Sequence, residues 1–148
     1  MNKEFIKVRT ITDITISSVL LVSGIILVAL PTSVSVTLLG AFMFITGAIL
    51  LAILKNGWQD SETKTHYCKK ERYFAQSSKT KILNALENHI ENIDLSDEGK
   101  GEGVRMEIYY NKQSGKAFIN LFEYIPYNYE PISPTFEYTT DKITKLIG

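Results

Sequence analysis

Two long apolar segments separated by three residues dominate the hydrophobic pattern of the chain. The first runs from Ile14 to Leu30 and the second from Val34 to Leu54, and no charged side chain occurs within 14–54. A helix needs about 20 residues to cross a hydrocarbon core of about 30 Å, with about 17 as the lower limit. Both segments meet this requirement, and the intervening Pro31–Ser33 suffices only for a tight turn. The pattern therefore predicts a transmembrane helical hairpin.

Small residues predict the face on which the two helices meet. In an antiparallel hairpin, residues equally distant from the turn lie at equal depth, so Gly24 lies opposite Gly40 and Ser17 lies opposite Gly47. Membrane helices pair by close backbone approach at such residues, because lipid removes the hydrophobic drive between them. We predict these four residues as the helix–helix seam. The alternative is that glycine and serine are simply common in membrane helices.

The distribution of basic residues predicts the orientation of the hairpin. Residues 1–13, read as an N-terminal tail, carry Lys3, Lys7 and Arg9, and many lysines follow the second span, whereas the turn carries none. Lys and Arg remain on the cytosolic side of a membrane. We therefore expect a two-span protein of the inner (plasma) membrane with both termini in the cytosol. An alternative interprets the first span as a cleaved signal peptide, which would leave the second span at a new terminus.

The rest of the chain predicts a polar linker over 55–64 and a small α+β domain over 65–148. Thr65–Ala75 is rich in aromatic residues and alternates loosely, which is typical of a strand. A helix is expected from Ser77 or Ser78, acting as N-cap, to about Ile93, because its apolar residues recur at spacings of three and four.

The clearest element of this domain is a β-hairpin. Val104–Tyr110 and Lys116–Tyr124 alternate apolar and polar residues around a turn that contains Gly115. One face of the hairpin is purely apolar and predicts the core face, comprising Val104, Met106, Ile108, Tyr110, Ala117, Ile119 and Leu121. The proline-rich tail Ile125–Glu137 is expected to be extended, and a short final helix follows Thr139 or Thr140. A mainly antiparallel sheet covered by one or two helices is the predicted fold.

The opposite face of the β-hairpin carries more aromatic side chains than a solvated face normally does. Together with tyrosines of the tail, these residues form the candidate partner surface: Arg105, Tyr109, Phe118, Phe122, Tyr124, Tyr127 and Tyr129. Exposed Tyr and Phe around an Arg is a composition typical of protein interfaces. The alternative is that the tail folds back and covers this face within the same chain.

Three basic residues just after the hairpin are candidate contacts for lipid headgroups. Lys69, Lys70 and Arg72 belong to a cluster that could attract anionic headgroups by about 1 kcal/mol per charge. The alternative is a solvated strand edge, where lysines also discourage pairing between sheets.

Chemical motifs are sparse along the chain. His66 and Cys68 share a face of the predicted strand, but zinc would need two further ligands and His89 is the only other histidine. We therefore predict no catalytic residue, no metal site and no cofactor. The net charge of zero also argues against nucleic acid as a partner.

These observations favour a non-enzymatic, membrane-anchored module that contacts membrane lipid and binds a protein partner or another copy of itself. A second hypothesis is a membrane effector or toxin-immunity protein of a bacterial conflict system, in which the soluble domain senses a ligand or toxin and the two-helix unit oligomerises. A third hypothesis is an enzyme that uses Cys68 with His66. Replacing Cys68 by Ser or Ala distinguishes the enzyme from the other two hypotheses, because only the enzyme needs the thiol.

Overall fold

A computed structural model describes residues 3–31 and 33–148 of the chain. These residues form two compact units: a helical unit, Ile6–Gly57, and a sheet unit that joins the residues up to Phe5 to Trp58–Gly148. Within the described residues the chain has four α-helices and seven strands, which confirms the predicted α+β fold class. The predicted turn includes Thr32, which lies outside the described residues, as do the first two residues of the predicted N-terminal tail.

The helical unit consists of two helices, α1 (Ile11–Ala29) and α2 (Val34–Ile53). Both are long and apolar enough to cross a membrane. Helix α1 begins earlier than the apolar segment because Thr10 and Asp13 form a capping box. The Asp13 amide donates to Thr10 Oγ1 at 3.1 Å, and the Thr10 amide donates to Asp13 Oδ2 at 2.9 Å. This exchange satisfies two backbone amide groups at the start of the helix.

The two helices approach each other at their small residues. Ser17 and Gly24 are buried in α1, and Gly40 and Gly47 are buried in α2. A methyl group added to Gly24 would lie 2.7 Å from the carbonyl oxygen of Gly40, and one added to Gly47 would lie 2.6 Å from the amide nitrogen of Leu21. The structure therefore brings the four residues of the expected seam together, with backbone against backbone.

The open end of the hairpin is closed by a buried carboxylate. Asp13 is 3% exposed and accepts hydrogen bonds from the Asn56 amide at 3.0 Å and the Asn56 carboxamide at 2.8 Å, in addition to its capping bond. The Arg9 guanidinium donates to the carbonyl oxygen of Ala52 at 3.1 Å. These bonds tie the segment that enters α1 to the segment that leaves α2.

The sheet contains seven strands in the order β1-β2-β3-β4-β5-β6, with β7 paired to β5 beside β6. In chain order the strands are Phe5–Val8, Gly57–Asp60, His66–Phe74, Val104–Asn111, Lys116–Ile125, Asn128–Pro131 and Phe136–Thr139. Strands β3, β4 and β5 confirm the predicted strand and hairpin. Strands β1 and β2 lie in segments that the sequence analysis assigned to a tail and a linker, and each is only four residues long.

The main core lies between one face of the sheet and the helices α3 (Lys79–Asn88) and α4 (Thr144–Ile147). The predicted core face of the hairpin is buried apart from Tyr110, which is half-buried. The apolar residues at spacings of three and four in the predicted helix pack on it: Ile82, Leu86, Ile90 and Ile93 are buried, and Leu83 is partly buried. Burying each such side chain contributes about 1.5–3 kcal/mol to folding.

Helix α3 is shorter than predicted. It ends at Asn88, because His89 leaves the helical region (φ −149°, ψ 68°), and a 3₁₀ turn over Ile90–Asn92 follows. Ser78 makes no capping hydrogen bond, because a preceding 3₁₀ turn already places it in helical geometry. Its hydroxyl instead donates to Asp97 Oδ2 at 2.9 Å, which fixes the loop after α3 to the start of the helix.

The tight helix contact at Gly24 makes a testable prediction. Gly24→Ala is expected to push α1 and α2 apart, because the added methyl group has no space between the backbones. Overpacking of this kind destabilises by about 1–3 kcal/mol. In a Cys68→Ser background, spin labels at positions 22 and 42, both exposed on the helices, should therefore move further apart in electron paramagnetic resonance distance measurements.

A matched control for this measurement is Val19→Ile, which adds a methylene group at a residue that is 59% exposed. We expect the label distance of that variant to equal the parent distance. Equal distances in the parent and in Gly24→Ala would show that the glycine contact does not hold the helices together.

Candidate functional site

The aromatic residues predicted as a partner surface lie on the face of the sheet opposite the main core. This second face is defined by the strand register, which places Tyr109 beside Phe118 and Arg105 beside Phe122 on β4 and β5. Tyr124 and Tyr129 are paired between β5 and β6. Because side chains alternate along a strand, all of them except Tyr127, which lies in a turn, share this face. The face divides into a closed half and an open half.

The closed half is covered by the N-terminal segment of the chain. The ring of Phe5 stacks on the ring of Tyr109 with a centroid distance of 3.9 Å. Tyr67 meets Phe118 edge-on at 5.6 Å, and Trp58 meets Tyr109 edge-on at 5.5 Å. Tyr109 and Phe118 are consequently 4% and 2% exposed, so they offer no contact area to a partner.

The cover of this half therefore differs from both expectations for the second face. The face is neither open throughout nor covered by the proline-rich tail, because the tail lies in the plane of the sheet as strands β6 and β7. Short strands with few apolar residues, such as β1 and β2, give a weak sequence signal. The sequence signals that could have indicated this cover are the apolar residues of Phe5–Val8 and the aromatic Trp58.

A buried ion pair closes the edge of the aromatic cluster. Lys3 Nζ lies 2.6 Å from Asp60 Oδ2 and 4.8 Å from the centre of the Phe118 ring. Burial raises the pKa of Asp60, but hydrogen bonds from Lys3, Thr63 and the Glu62 amide outweigh it and lower the pKa to about 2. The same hydrogen bond raises the pKa of Lys3. The pair is therefore charged at neutral pH.

A second ionic group lies between the closed and open halves. Lys69 Nζ is 2.9 Å from Glu107 Oε1, 2.6 Å from Glu71 Oε1 and 4.5 Å from the centre of the Trp58 ring. The Tyr109 hydroxyl donates to Glu107 Oε2 at 2.8 Å. Burial, reinforced by the charge of Glu107, raises the pKa of Tyr109 far above its usual range. The closed half thus satisfies its charges internally.

The open half is built around a stacked arginine. The Arg105 guanidinium lies 4.8 Å from the ring centre of Phe122 and 4.3 Å from that of Tyr129. The Tyr129 hydroxyl donates to the carbonyl oxygen of Glu102 at 2.8 Å, and its ring meets that of Tyr124 at 5.3 Å. Arg105, Phe122 and Tyr129 are half-buried, whereas Tyr124 is 49% exposed. The result is a rigid, partly exposed patch of aromatic rings and one cation.

A small cavity of about 180 Å³ adjoins this patch. Its polar lining comes from Asn120, Ser133, Thr135 and Lys3, and the rings of Phe122 and Pro131 complete it. The Ser133 hydroxyl is buried without a hydrogen-bond partner. Because Lys3 is neutralised by Asp60, the cavity offers donors and acceptors without a free charge and can accept a small uncharged polar group.

The three candidate headgroup contacts are engaged in contacts within the sheet unit. Arg72 is 8% exposed and bonds the carbonyl oxygen of Leu146 at 2.9 Å, that of Lys145 at 3.2 Å, and Glu98. Lys70 donates to the carbonyl oxygen of Gly148, and Lys69 holds the ion pairs described above. Arg72 therefore fixes α4 and the loop before β4, and burial keeps it away from a lipid surface.

The His66 and Cys68 side chains lie on the exposed part of β3. Cys68 is paired across the sheet with Tyr110. No group of three His, Cys, Asp or Glu side chains that could hold a metal occurs among residues 3–31 and 33–148. The stacked Arg105 patch is thus the best-defined candidate for recognition on the described surface.

No known protein family, curated protein or solved structure matches this chain. Its function is therefore inferred from the geometry of its own residues.

The depressed pKa of Asp60 predicts a loss of stability in acid. The folded value of about 2 lies below the unfolded value of about 3.9. The ionised carboxylate therefore stabilises the fold above about pH 4, and this stabilisation, on the order of 2 kcal/mol, is lost as the pH falls from about 4 to 2. Urea unfolding of the full chain in detergent, followed by the fluorescence of Trp58, measures it.

Asp60→Asn should lower the stability at neutral pH and remove much of this acid-dependent loss. Glu62→Gln is the control, because that exposed side chain lies next to the pair and only its backbone amide contacts Asp60. If Asp60→Asn and the parent chain lose the same stability in acid, the Lys3–Asp60 pair does not cause the loss.

Proposed function

We propose that the chain is a membrane-anchored binding module, with α1 and α2 as the anchor and the sheet unit as the recognition domain. One observation carries the proposal: the helical unit buries small and polar residues and exposes apolar ones, which is the reverse of a water-soluble protein. The buried residues of its two helices are Asp13, Ser17, Gly24, Gly40 and Gly47. Its apolar residues face outward, as shown by Val19, Leu38 and Phe42, which are 59%, 65% and 68% exposed.

This arrangement suits lipid and not water. Burying a large apolar side chain contributes about 1.5–3 kcal/mol, so leaving a ring of them in water forfeits much stabilisation. Within a bilayer the same side chains are solvated by hydrocarbon, and the helices pair through their small residues. Two hydroxyl groups of α1 are satisfied within the helix, since Ser17 Oγ donates to the Asp13 carbonyl oxygen at 2.8 Å and Thr15 Oγ1 donates to that of Ile11 at 2.9 Å. Membrane insertion requires such internal bonds.

The polar groups of the helical unit support the proposed orientation. Arg9, Asp13 and Asn56 all lie at the open end of the hairpin, where the chain enters α1 and leaves α2. Lys and Arg flank this end in the sequence, and the turn end carries neither. The positive-inside rule then directs the open end, both termini and the sheet unit to the cytosol.

The binding role is supported by the open half of the second face. Arg and Tyr are the residue types that most often dominate the energy of protein interfaces. Stacking between Phe122 and Tyr129 fixes the Arg105 guanidinium before any partner arrives. Little side-chain entropy is then lost on binding, and preorganisation of this kind increases affinity. The proposed occupant is a protein: a partner subunit or a second copy of the chain.

The orientation can be tested with the single native cysteine. Cys68 is exposed on the sheet unit, so a membrane-impermeant maleimide should label it only after the cells are permeabilised. In Cys68→Ser/Ser33→Cys, the thiol lies at the exposed turn end of the hairpin and should react in intact cells. Labelling of Cys68 in intact cells would overturn the proposed orientation, and full release of the protein by alkaline carbonate would overturn the proposed anchor.

The binding role can be tested by mass measurement on protein in nanodiscs formed directly from the membranes that contain it. We expect a species heavier than one chain, formed with a stoichiometric partner or with copies of the chain. Tyr124→Ala should weaken this assembly by about 2 kcal/mol, or about thirtyfold in affinity, because the ring of Tyr124 is the most exposed of the patch and has the most area for a partner to bury.

Lys112→Ala is the control for that experiment, because it changes an exposed residue in the turn between β4 and β5, away from the patch. Arg105→Lys tests the stacked plane separately, since lysine keeps the charge and loses the planar group. A mass of one chain from native membranes would contradict the binding role and leave the anchor intact.

A further inference from the structure

The small cavity beside the aromatic patch lies within the sheet unit and is lined by three segments of the chain. Strand β5 supplies Asn120 and Phe122, which share one face of the sheet. Residues 131–135, which lead from β6 to β7, supply a second part of the lining, and Lys3, before β1, supplies the third. We call this cavity the β5 pocket.

The volume of the β5 pocket limits the size of its occupant. At about 180 Å³ it is smaller than the roughly 300–1,000 Å³ of pockets that take larger ligands. A cavity of about 150 Å³ nevertheless accepts one benzene molecule, and one water molecule takes only about 30 Å³. The β5 pocket therefore suits a group the size of one side chain.

Two buried side-chain polar atoms without a hydrogen-bond partner occur among residues 3–31 and 33–148, and both belong to residues that adjoin Phe122. One is the Ser133 hydroxyl oxygen, and the other is Arg105 Nε. Ser133 lines the β5 pocket together with Phe122, and the Arg105 guanidinium lies 4.8 Å from the centre of the same ring. Buried polar groups without partners are unfavourable and uncommon, so two of them around one ring point to a group supplied from outside the chain.

The other polar groups of the pocket favour an uncharged occupant that both donates and accepts hydrogen bonds. Asn120 offers one acceptor oxygen and two N–H groups. Thr135 Oγ1 accepts from the Lys3 backbone amide at 3.1 Å, which leaves its own proton free to donate. The charge of the Lys3 ammonium is balanced by Asp60 at 2.6 Å, and this carboxylate would repel a second anion.

We propose that the β5 pocket binds a primary carboxamide, supplied by an asparagine or glutamine side chain of the protein partner. This inference rests on the proposed binding role of the patch. A carboxamide carries one acceptor and two donors, so it can pair in both directions with Asn120 and can also bond the Ser133 hydroxyl. Because Phe122 belongs both to the patch and to the pocket, a partner that covers the patch also reaches the pocket.

Three small molecules of nearly identical shape test the chemistry of the pocket. Acetamide donates and accepts hydrogen bonds, acetone only accepts them, and acetate is an anion. Each is titrated into the full chain in nanodiscs, with asparagine isotopically labelled, and the side-chain N–H signals of Asn120 are followed by nuclear magnetic resonance. Asn120→Leu identifies these signals by their loss. We expect acetamide to shift them at a concentration at least about fivefold below that of acetone or acetate, because only acetamide satisfies both kinds of group.

The three titrations have outcomes that would overturn the proposal. Equal effects of acetamide and acetone would show that the pocket selects by shape alone. A stronger effect of acetate would show an anion site. If none of the three molecules shifts the Asn120 signals, the pocket accepts nothing larger than water.

Ser133→Ala distinguishes ligand binding from a structural role. We expect acetamide to bind severalfold more weakly, while the urea concentration at the unfolding midpoint stays equal or rises, because the fold loses no hydrogen bond at this hydroxyl. Ser114→Ala is the control, since it removes a hydroxyl from an exposed residue in the turn between β4 and β5. Lower urea resistance with unchanged acetamide binding would show that Ser133 serves the fold and not a ligand.

Ser133→Val tests whether the partner supplies the carboxamide, because the larger side chain occupies part of the pocket. We expect the assembly recovered from native membranes to weaken at least about tenfold, and Lys112→Ala to leave it unchanged. Selective binding of acetamide with an unchanged assembly would overturn the partner as the source, in favour of a free amide. A mass of one chain for the parent overturns the binding role itself, whereas the acetamide titration still decides the chemistry of the pocket.

Discussion

The stack of Phe5 on Tyr109 is the contact on which the arrangement of the sheet unit depends. The helical unit is inserted into the sheet unit between Phe5 and Trp58, so the two ends of that insertion must be held by the sheet itself. Both are held at one residue, since Phe5 stacks on Tyr109 and Trp58 meets the same ring edge-on. The cluster thus secures two strands of four residues each, which are too short to be stable alone.

The carboxylates that are buried around this cluster have partners. Asp60 is neutralised by Lys3, and Glu107 is shared by Lys69, Arg105 and Tyr109. A buried charge without such a partner would be strongly unfavourable, so the ionic groups fix the geometry of the aromatic side chains that they contact. In the helical unit the buried Asp13 carboxylate is likewise satisfied by hydrogen bonds, and these bonds connect the two segments at the open end of the hairpin.

The division of the second face into two halves gives its aromatic residues three different roles. Tyr109 and Phe118 belong to a minor core beneath the N-terminal strand. Phe122 and Tyr129 stack on Arg105 and, with Tyr124, form the patch proposed for recognition. Tyr127 lies apart, in the turn between β5 and β6.

The amino-acid sequence by itself determined the features that depend on local periodicity. Two uninterrupted apolar segments specify two helices, and the spacing of Gly24, Gly40 and Gly47 from the turn places their backbones in contact. Strict alternation from Val104 to Leu121 specifies the β-hairpin and its core face. These patterns can be recognised in the sequence because buried and exposed positions recur with the period of the helix or strand to which they belong.

Only the tertiary structure decided which aromatic residues remain open. Phe5 lies more than a hundred residues from Tyr109 and Phe118 in the sequence, and a four-residue strand has too few positions to show a period. The burial of Arg72 by α4 depends likewise on a contact between distant segments. Alternation assigns a side chain to a face of the sheet, but whether that face meets solvent depends on segments that pack from elsewhere in the chain.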